Sequence, residues 1–291
     1  MKAKNKDIIM FALPRWDGPF SSTAFSLAKE MARDTRVFYV DNPYTLKDLL
    51  TGWSSAQIQS RLGALLFGRQ RYRVLDGSLS NLINVTPLLT FPINFLPPGG
   101  LYNFVSSINN FLVARCIKAV IRNYKITDYI FINSYNPFYL KNIRSLAPSV
   151  TIYHCVDNIS ESKYISKHGS ALERELIASF DLTITTSGRL RDYALQFSKN
   201  VVCLPNAADF QLFQQAFGKR LPLPVELTER RGQKIIGYIG SVDHRIDYSI
   251  LISIVETYPT WTLLLVGPQS AEYRNSGLGL FRNVITTGSK S

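Results

Sequence analysis

"KIIGYIGSVDHRIDYSILISIV", residues 234–255, decides how this chain is read. Residues 234–239 make an apolar run of strand length, Gly240 ends it, and from about Asp247 apolar residues recur at helical spacing. Strand, glycine turn and helix in that order form the repeating part of a parallel α/β sheet. Such a turn also brings backbone N–H groups to the start of a helix, where an anion can be held. Two more strand-like runs follow, "WTLLLVG" (261–267) and "NVITTG" (283–288).

The same alternation fills the upstream chain. Strands are predicted at 7–13, 36–41, 128–133, 150–157, 181–187 and 200–206, with short ones near 72–75 and 82–86. Helices are predicted from a cap at Ser21 or Ser22 to Arg33, at 103–124, and near 57–67, 136–146, 169–180 and 188–197. Near-continuous apolar strands belong in a sheet covered by helices on both faces. The expected architecture is α/β with two Rossmann-like, doubly wound domains. The first spans 1–208, a linker rich in Pro, Gly and charge spans 209–233, and an incomplete second domain spans 234–291.

Composition narrows the class. At 46% hydrophobic and 19% charged, the 291-residue chain is core-forming. Three widely spaced cysteines argue against a disulfide framework and for a reducing compartment. The apolar run at the N-terminus ends at Pro14-Arg15-Trp16-Asp17 with no small-residue cleavage site. The greasiest stretch, 81–104, is broken by Pro87, Pro92, Pro97 and Pro98, so it is not read as a spanning helix. The reading is a soluble, cytoplasmic protein.

The net charge is +12, and its surplus lies upstream: 24 Lys/Arg against 14 Asp/Glu in residues 1–200, then 9 against 7. "RLGALLFGRQRYR" (61–73) and "RCIKAVIRNYK" (115–125) are the basic hot spots. They fit an anionic membrane surface, an acidic substrate or ordinary solvated helix faces. No zinc-ligand spacing or RNA-binding aromatic signature accompanies them, so nucleic acid is not expected as a partner.

Absent motifs exclude other chemistry. There is no G-x-S-x-G elbow, no H-E-x-x-H, no paired C-x-x-C and no Walker loop. No Asp-x-Asp occurs, so no bound metal is expected. Asp41 ends a predicted second strand where a dinucleotide enzyme places its ribose carboxylate. The preceding turn holds only Gly18, however, and without a glycine fingerprint Asp41 reads as a strand-end residue.

Open α/β sheets bind ligands at the carboxyl ends of their strands. That rule nominates Trp16, Asp17, Gly18, Asn133, Ser134, His154 and Asp157 upstream, Asn206 at the crossing, and Gly240, Ser241 and Arg245 downstream. His154 lies inside a strand and reads first as a hydrogen-bonded core histidine, with a role as base second. Arg245 reads equally as a surface residue paired with Asp243 or Asp247.

"YHCVDNISE" (153–161), "VVCLPNAADFQLF" (201–213), the opening 234–255 stretch and "YPTWTLLLVGP" (258–268) together resemble GT-B glycosyltransferases of the large retaining group. The similarity is greatest to bacterial members that build surface polysaccharides, including teichuronic acids. The resemblance implies a nucleotide-diphosphate sugar as donor, no further cofactor, and a glycan or lipid-linked acceptor. It assigns Gly240, Ser241, Arg245 and Asn206 to the donor, where a leaving diphosphate must be stabilised as its charge develops. Trp16, Asp17, Gly18, Asn133 and Ser134 fall on the acceptor side. Asp157 faces the acceptor hydroxyl as base or orienting carboxylate, with His154 as the alternative base.

Family members continue for about a hundred residues past the last strand. That portion carries a glutamate pair for the donor's ribose and sugar, so the expectation is a C-terminally truncated chain with weak turnover or none. Two other classes stay open: a noncatalytic acceptor-binding or partner-docking remnant, and an NAD-dependent sugar-nucleotide epimerase or dehydrogenase.

Overall fold

Alternating side chains on each strand face opposite sides of a sheet, and in the larger sheet of this protein both sides are packed. The computed structural model describes residues 6–18, 22–76, 79–140, 142–162, 165–218 and 221–290. The chain divides into two compact units, Met1–Ala207 and Ala208–Ser291.

The first unit runs β1 (Asp7–Ala12), α1 (Thr23–Met31), β2 (Val37–Val40), α2 (Leu46–Thr51), α3 (Ala56–Gln59), α4 (Leu62–Phe67), β3 (Tyr72–Asp76), β4 (Leu79–Val85) and α5 (Gly100–Asn123). It continues through β5 (Tyr129–Ser134), β6 (Val150–Cys155), α6 (Ser166–Ser179), β7 (Leu182–Thr185), α7 (Gly188–Ala194) and β8 (Val201–Cys203). The strands form one sheet in the order β3-β4-β2-β1-β5-β6-β7-β8, parallel except for β3. Ile9 and Phe11 of β1 face a core closed by Val113, Cys116, Ile117 and Val120 of α5 and by Leu176 and Ile177 of α6. Ile8 and Met10 face the other side, under Ala24 and Ala28 of α1. The doubly wound α/β expectation holds: strand order reverses direction between β1 and β5, so their carboxyl ends open on a switch point.

Local chemistry sets the element ends. Ser22 caps α1 by accepting the Phe25 N–H, while Ser21 lies outside the described residues. The helix expected near 57–67 is two short ones, parted at Arg61, whose guanidinium reaches the Gln57 carbonyl and Asp17. The helix expected near 136–146 does not form, and a single 3-10 turn, Ile143–Leu146, replaces it. Tyr135, Leu140 and Ala147 adopt positive φ, which no right-handed helix allows. Asn110 of α5 takes the Leu140 N–H at 2.6 Å and holds the irregular path.

The second unit holds α8 (Phe210–Gly218), β9 (Ile235–Ile239), α9 (Tyr248–Thr257), β10 (Thr262–Val266), α10 (Ala271–Asn275) and β11 (Val284–Gly288). Its three strands are parallel in the order β11-β10-β9. Val255, Leu263, Leu265, Tyr273 and Leu278 form its core, while Ile239 of β9 stays exposed. The stretch expected to be linker thus carries α8 and a 3-10 turn, Val225–Arg230, where Leu227 is buried.

Candidate functional site

At the carboxyl edge of the first unit, the loop after β1 is held from beneath by a buried acid. Asp41 follows β2 and is 1% exposed; its carboxylate accepts the Trp16 N–H at 3.2 Å and the Asn84 amide at 2.8 Å. Burial pushes its pKa up to about 7, against the hydrogen bonds and the Arg61 charge that lower it. This carboxylate is spent on the protein's own backbone, so it is not free to hold a ribose. Asp17 is bound as well: nearly buried Arg61 donates to it at 2.7 Å, and Gln57 donates to its carbonyl at 3.2 Å. Asp17, expected on the acceptor side, is therefore a paired loop anchor. Gly18 closes a turn on the Arg15 carbonyl. The Trp16 indole N–H is buried with no partner among the described residues.

The β5 end is internal too. Asn133 is buried and exchanges hydrogen bonds with Asn136, which donates to Asn42 beyond β2 at 3.0 Å. Ser134 meets His154 Nδ1 at 3.0 Å. His154 is 5% exposed, and burial lowers its pKa to about 4. The imidazole is neutral and weakly basic near pH 7, which removes the driving force for a general base. Of the expected pair, the exposed carboxylate is Asp157, whose Oδ1 accepts the Asn158 N–H at 2.9 Å. Asn206 is also exposed and lies 3.5 Å from Thr23 Oγ1 at the start of α1.

Two further residues, not singled out in the sequence, are linked to this edge: Tyr135 feels the charges of both Asp157 and Glu173. Tyr135 sits at φ 58°, a conformation costing a non-glycine residue about 1–2 kcal/mol. Its phenol pKa is raised by burial and by the charges of Asp157 and Glu173. Glu173 of α6 is 2% exposed beneath β6, accepting from Tyr153 Oη at 2.6 Å and from Cys155 Sγ at 3.5 Å. Burial raises the Glu173 pKa. No local pattern marks either residue, because Glu173 meets its partners across 18 and 20 positions.

In the second unit, the turn after β9 is tied to the turn after β10. Gly240 donates its N–H to Val266, and Val242 donates to Pro268. A Cβ on Gly267 (φ 149°) would lie 1.9 Å from the Gly240 carbonyl oxygen, so the crossing requires glycine. The helix does not follow at once: α9 starts at Tyr248, and Asp247 already accepts the Ser249 and Ile250 N–H groups at its N-terminus. Gly240 and Ser241 are thus not at the helix start, and that end is filled by a carboxylate. Arg245 forks onto Asp243 at 2.9 and 2.7 Å, drawing the Asp243 pKa down to about 2. Ser241 keeps its N–H and hydroxyl without protein partners among the described residues, its carbonyl accepting from Tyr238 Oη at 3.0 Å.

Parallel sheets with residues gathered at strand carboxyl ends define a Rossmann-type α/β protein, and the fold is the one shared by GT-B glycosyltransferases. Sucrose-phosphate synthase from Thermosynechococcus elongatus aligns with 99% of this chain and 71% of its own, at TM-score 0.65 and 12% identity. Anabaena Alr3699/HepE in complex with UDP and glucose aligns over 99% and 70%, at TM-score 0.56 and 13% identity. An alpha,alpha-trehalose-phosphate synthase (UDP-forming) from Burkholderia xenovorans, in complex with glucose-6-phosphate, aligns over 98% and 75%, at TM-score 0.55 and 12% identity. No protein-family model matches the chain, and no curated protein matches its sequence.

Proposed function

We propose that this protein belongs to the apparatus of glycosyl transfer. In this reading it binds a nucleoside-diphosphate sugar and serves its transfer to a glycan or lipid-linked acceptor in surface-polysaccharide synthesis, on the cytoplasmic face of an anionic membrane. The observation that carries this reading is fold likeness along 98–99% of the chain to proteins described with UDP and glucose, or as UDP-forming.

Each unit contributes differently. Ser241 offers an N–H and a hydroxyl that have no partner among the described residues and that a diphosphate oxygen can accept from, and Arg245 can exchange Asp243 for phosphate through the same bidentate fork. Asp157, exposed beside Tyr135, orients an acceptor hydroxyl by accepting its proton in a hydrogen bond. His154 stays neutral inside the fold and supports Ser134.

Calorimetric titration with UDP, GDP and dTDP tests the donor half. UDP should bind, and Ser241→Ala should weaken it roughly 3- to 10-fold, the worth of one lost hydrogen bond. Asp157→Asn should leave UDP affinity unchanged and lower sugar transfer. Absence of saturable binding for all three nucleotides would overturn the proposal.

A further inference from the structure

Helix α5 packs one face into the core, and its opposite stripe is divided by chemistry. Leu101, Phe104, Phe111, Arg115, Lys118 and Arg122 recur at spacings of three, four and seven, so they share one face. The first three are 64%, 65% and 63% exposed, and the three cations lie on the outer side of the helix with them. At about 1.5 Å per residue the stripe is roughly 30 Å long, apolar in its first half and cationic in its second.

Beside the cationic half lies a pocket of about 520 Å³. Arg71, Arg115, Lys118 and Arg122 line it around a floor that includes Leu88 and Ile121. Arg71 is held in place by its Nε bond to the Gly68 carbonyl at 2.9 Å. None of the ion pairs among the described residues uses any of the other three cations. The α5 dipole accounts for one cation in the last turn, Arg122, but not for Arg115 two turns earlier or for Arg71 on another element.

We infer that this pocket is a phosphate site for the headgroup of an anionic phospholipid, and that the α5 stripe sets the first unit on the membrane. Arginine forks suit phosphate oxygens, the apolar floor suits a glycerol and acyl stem, and Phe104 and Phe111 enter the acyl boundary while the cationic half stays among headgroups. Exposed Phe95, just upstream of α5, extends the apolar end. The inference rests on the membrane part of the proposed function but not on its transfer chemistry.

Co-sedimentation of the full chain with phosphatidylcholine vesicles, with and without phosphatidylglycerol, tests it. Binding is expected only with phosphatidylglycerol and should fall with added salt. Arg115→Glu/Lys118→Glu/Arg122→Glu should lower partitioning by roughly 100-fold, about fivefold per cation. Phe104→Ser/Phe111→Ser should also release the protein. Arg189→Glu/Arg191→Glu/Lys199→Glu, which flanks β8 at the opposite sheet edge, makes the same net-charge change and should retain binding. Thermal melts confirm that each variant is folded.

Equal loss in both charge-reversal triples would reduce the effect to net charge and overturn the site. Saturable binding of inorganic phosphate with no vesicle binding would overturn the lipid assignment. UDP titration of the same samples separates the readings: nucleotide binding without vesicle binding refutes this inference alone, and vesicle binding without nucleotide binding refutes the donor reading alone.

Discussion

Replacing Asp41 with asparagine probes the loop that carries Trp16, Asp17 and Gly18. Burial raises the Asp41 pKa from 3.8 to about 7, overcoming the Asn84 and Trp16 hydrogen bonds and the Arg61 charge. The unfolded chain releases this proton near pH 4, whereas the folded protein keeps it to about pH 7. Throughout that window the folded state binds more protons, so stability falls as pH rises. Integrated between those values, the loss is about 2.5 kcal/mol from pH 5 to pH 8, with a plateau above. Asp41→Asn removes the slope. Urea unfolding in a Trp261→Phe background leaves Trp16 and Trp53, both in the first unit, as fluorescent reporters. The stability of Asp41→Asn relative to its parent should rise by about 2.5 kcal/mol over that pH range. A constant difference would mean that the carboxylate is already charged at pH 5, held by Arg61, and the buried-acid account of the loop would fail.

Three further outcomes are expected. His154, lowered to about 4 by burial, should show no imidazole titration in NMR spectra between about pH 8 and pH 5. Its contribution to stability is present above 6.5 and lost as pH falls toward 4; titration near 6.5 would contradict its buried placement. Gly267→Ala, which drives a Cβ into the Gly240 carbonyl, should cost the second unit about 3 kcal/mol or more in chemical denaturation, and a neutral result would disprove the close crossing. Glu173→Gln keeps an acceptor for Tyr153 and should change stability by less than about 1 kcal/mol, whereas Glu173→Ala strands that hydroxyl and should cost about 2–4 kcal/mol by thermal unfolding. Equal effects of the two would show that the hydrogen bond contributes nothing.

Strands such as β1, β2 and β10 were legible because an apolar run long enough for a covered sheet has few other stable arrangements. Periodicity failed at 136–146, where Asn133, Asn136 and Asn110 take the backbone and side-chain hydrogen bonds that a helix would otherwise satisfy. It also failed at 57–67, where the Arg61 contact to Asp17 spans 44 positions. The candidate site divides along the same line. Strand carboxyl ends nominated Asp157 and Ser241, but nothing local revealed that Asp17, Asn133 and His154 are consumed inside the fold, or that Tyr135 stands under the charges of Asp157 and Glu173.

By itself the sequence determined the alternating α/β order, the basic surplus upstream and the turn at Gly240, since hydrophobic period, charge and glycine freedom are properties of neighbouring residues. Tertiary structure decided which polar groups remain available for chemistry. It buried Asp41 under the β1 loop, paired Asp17 with Arg61 across 44 positions and gathered the α5 cations with Arg71 around one pocket. The physical reason is that availability depends on burial and on hydrogen-bond partners far along the chain, and only the folded arrangement brings those together.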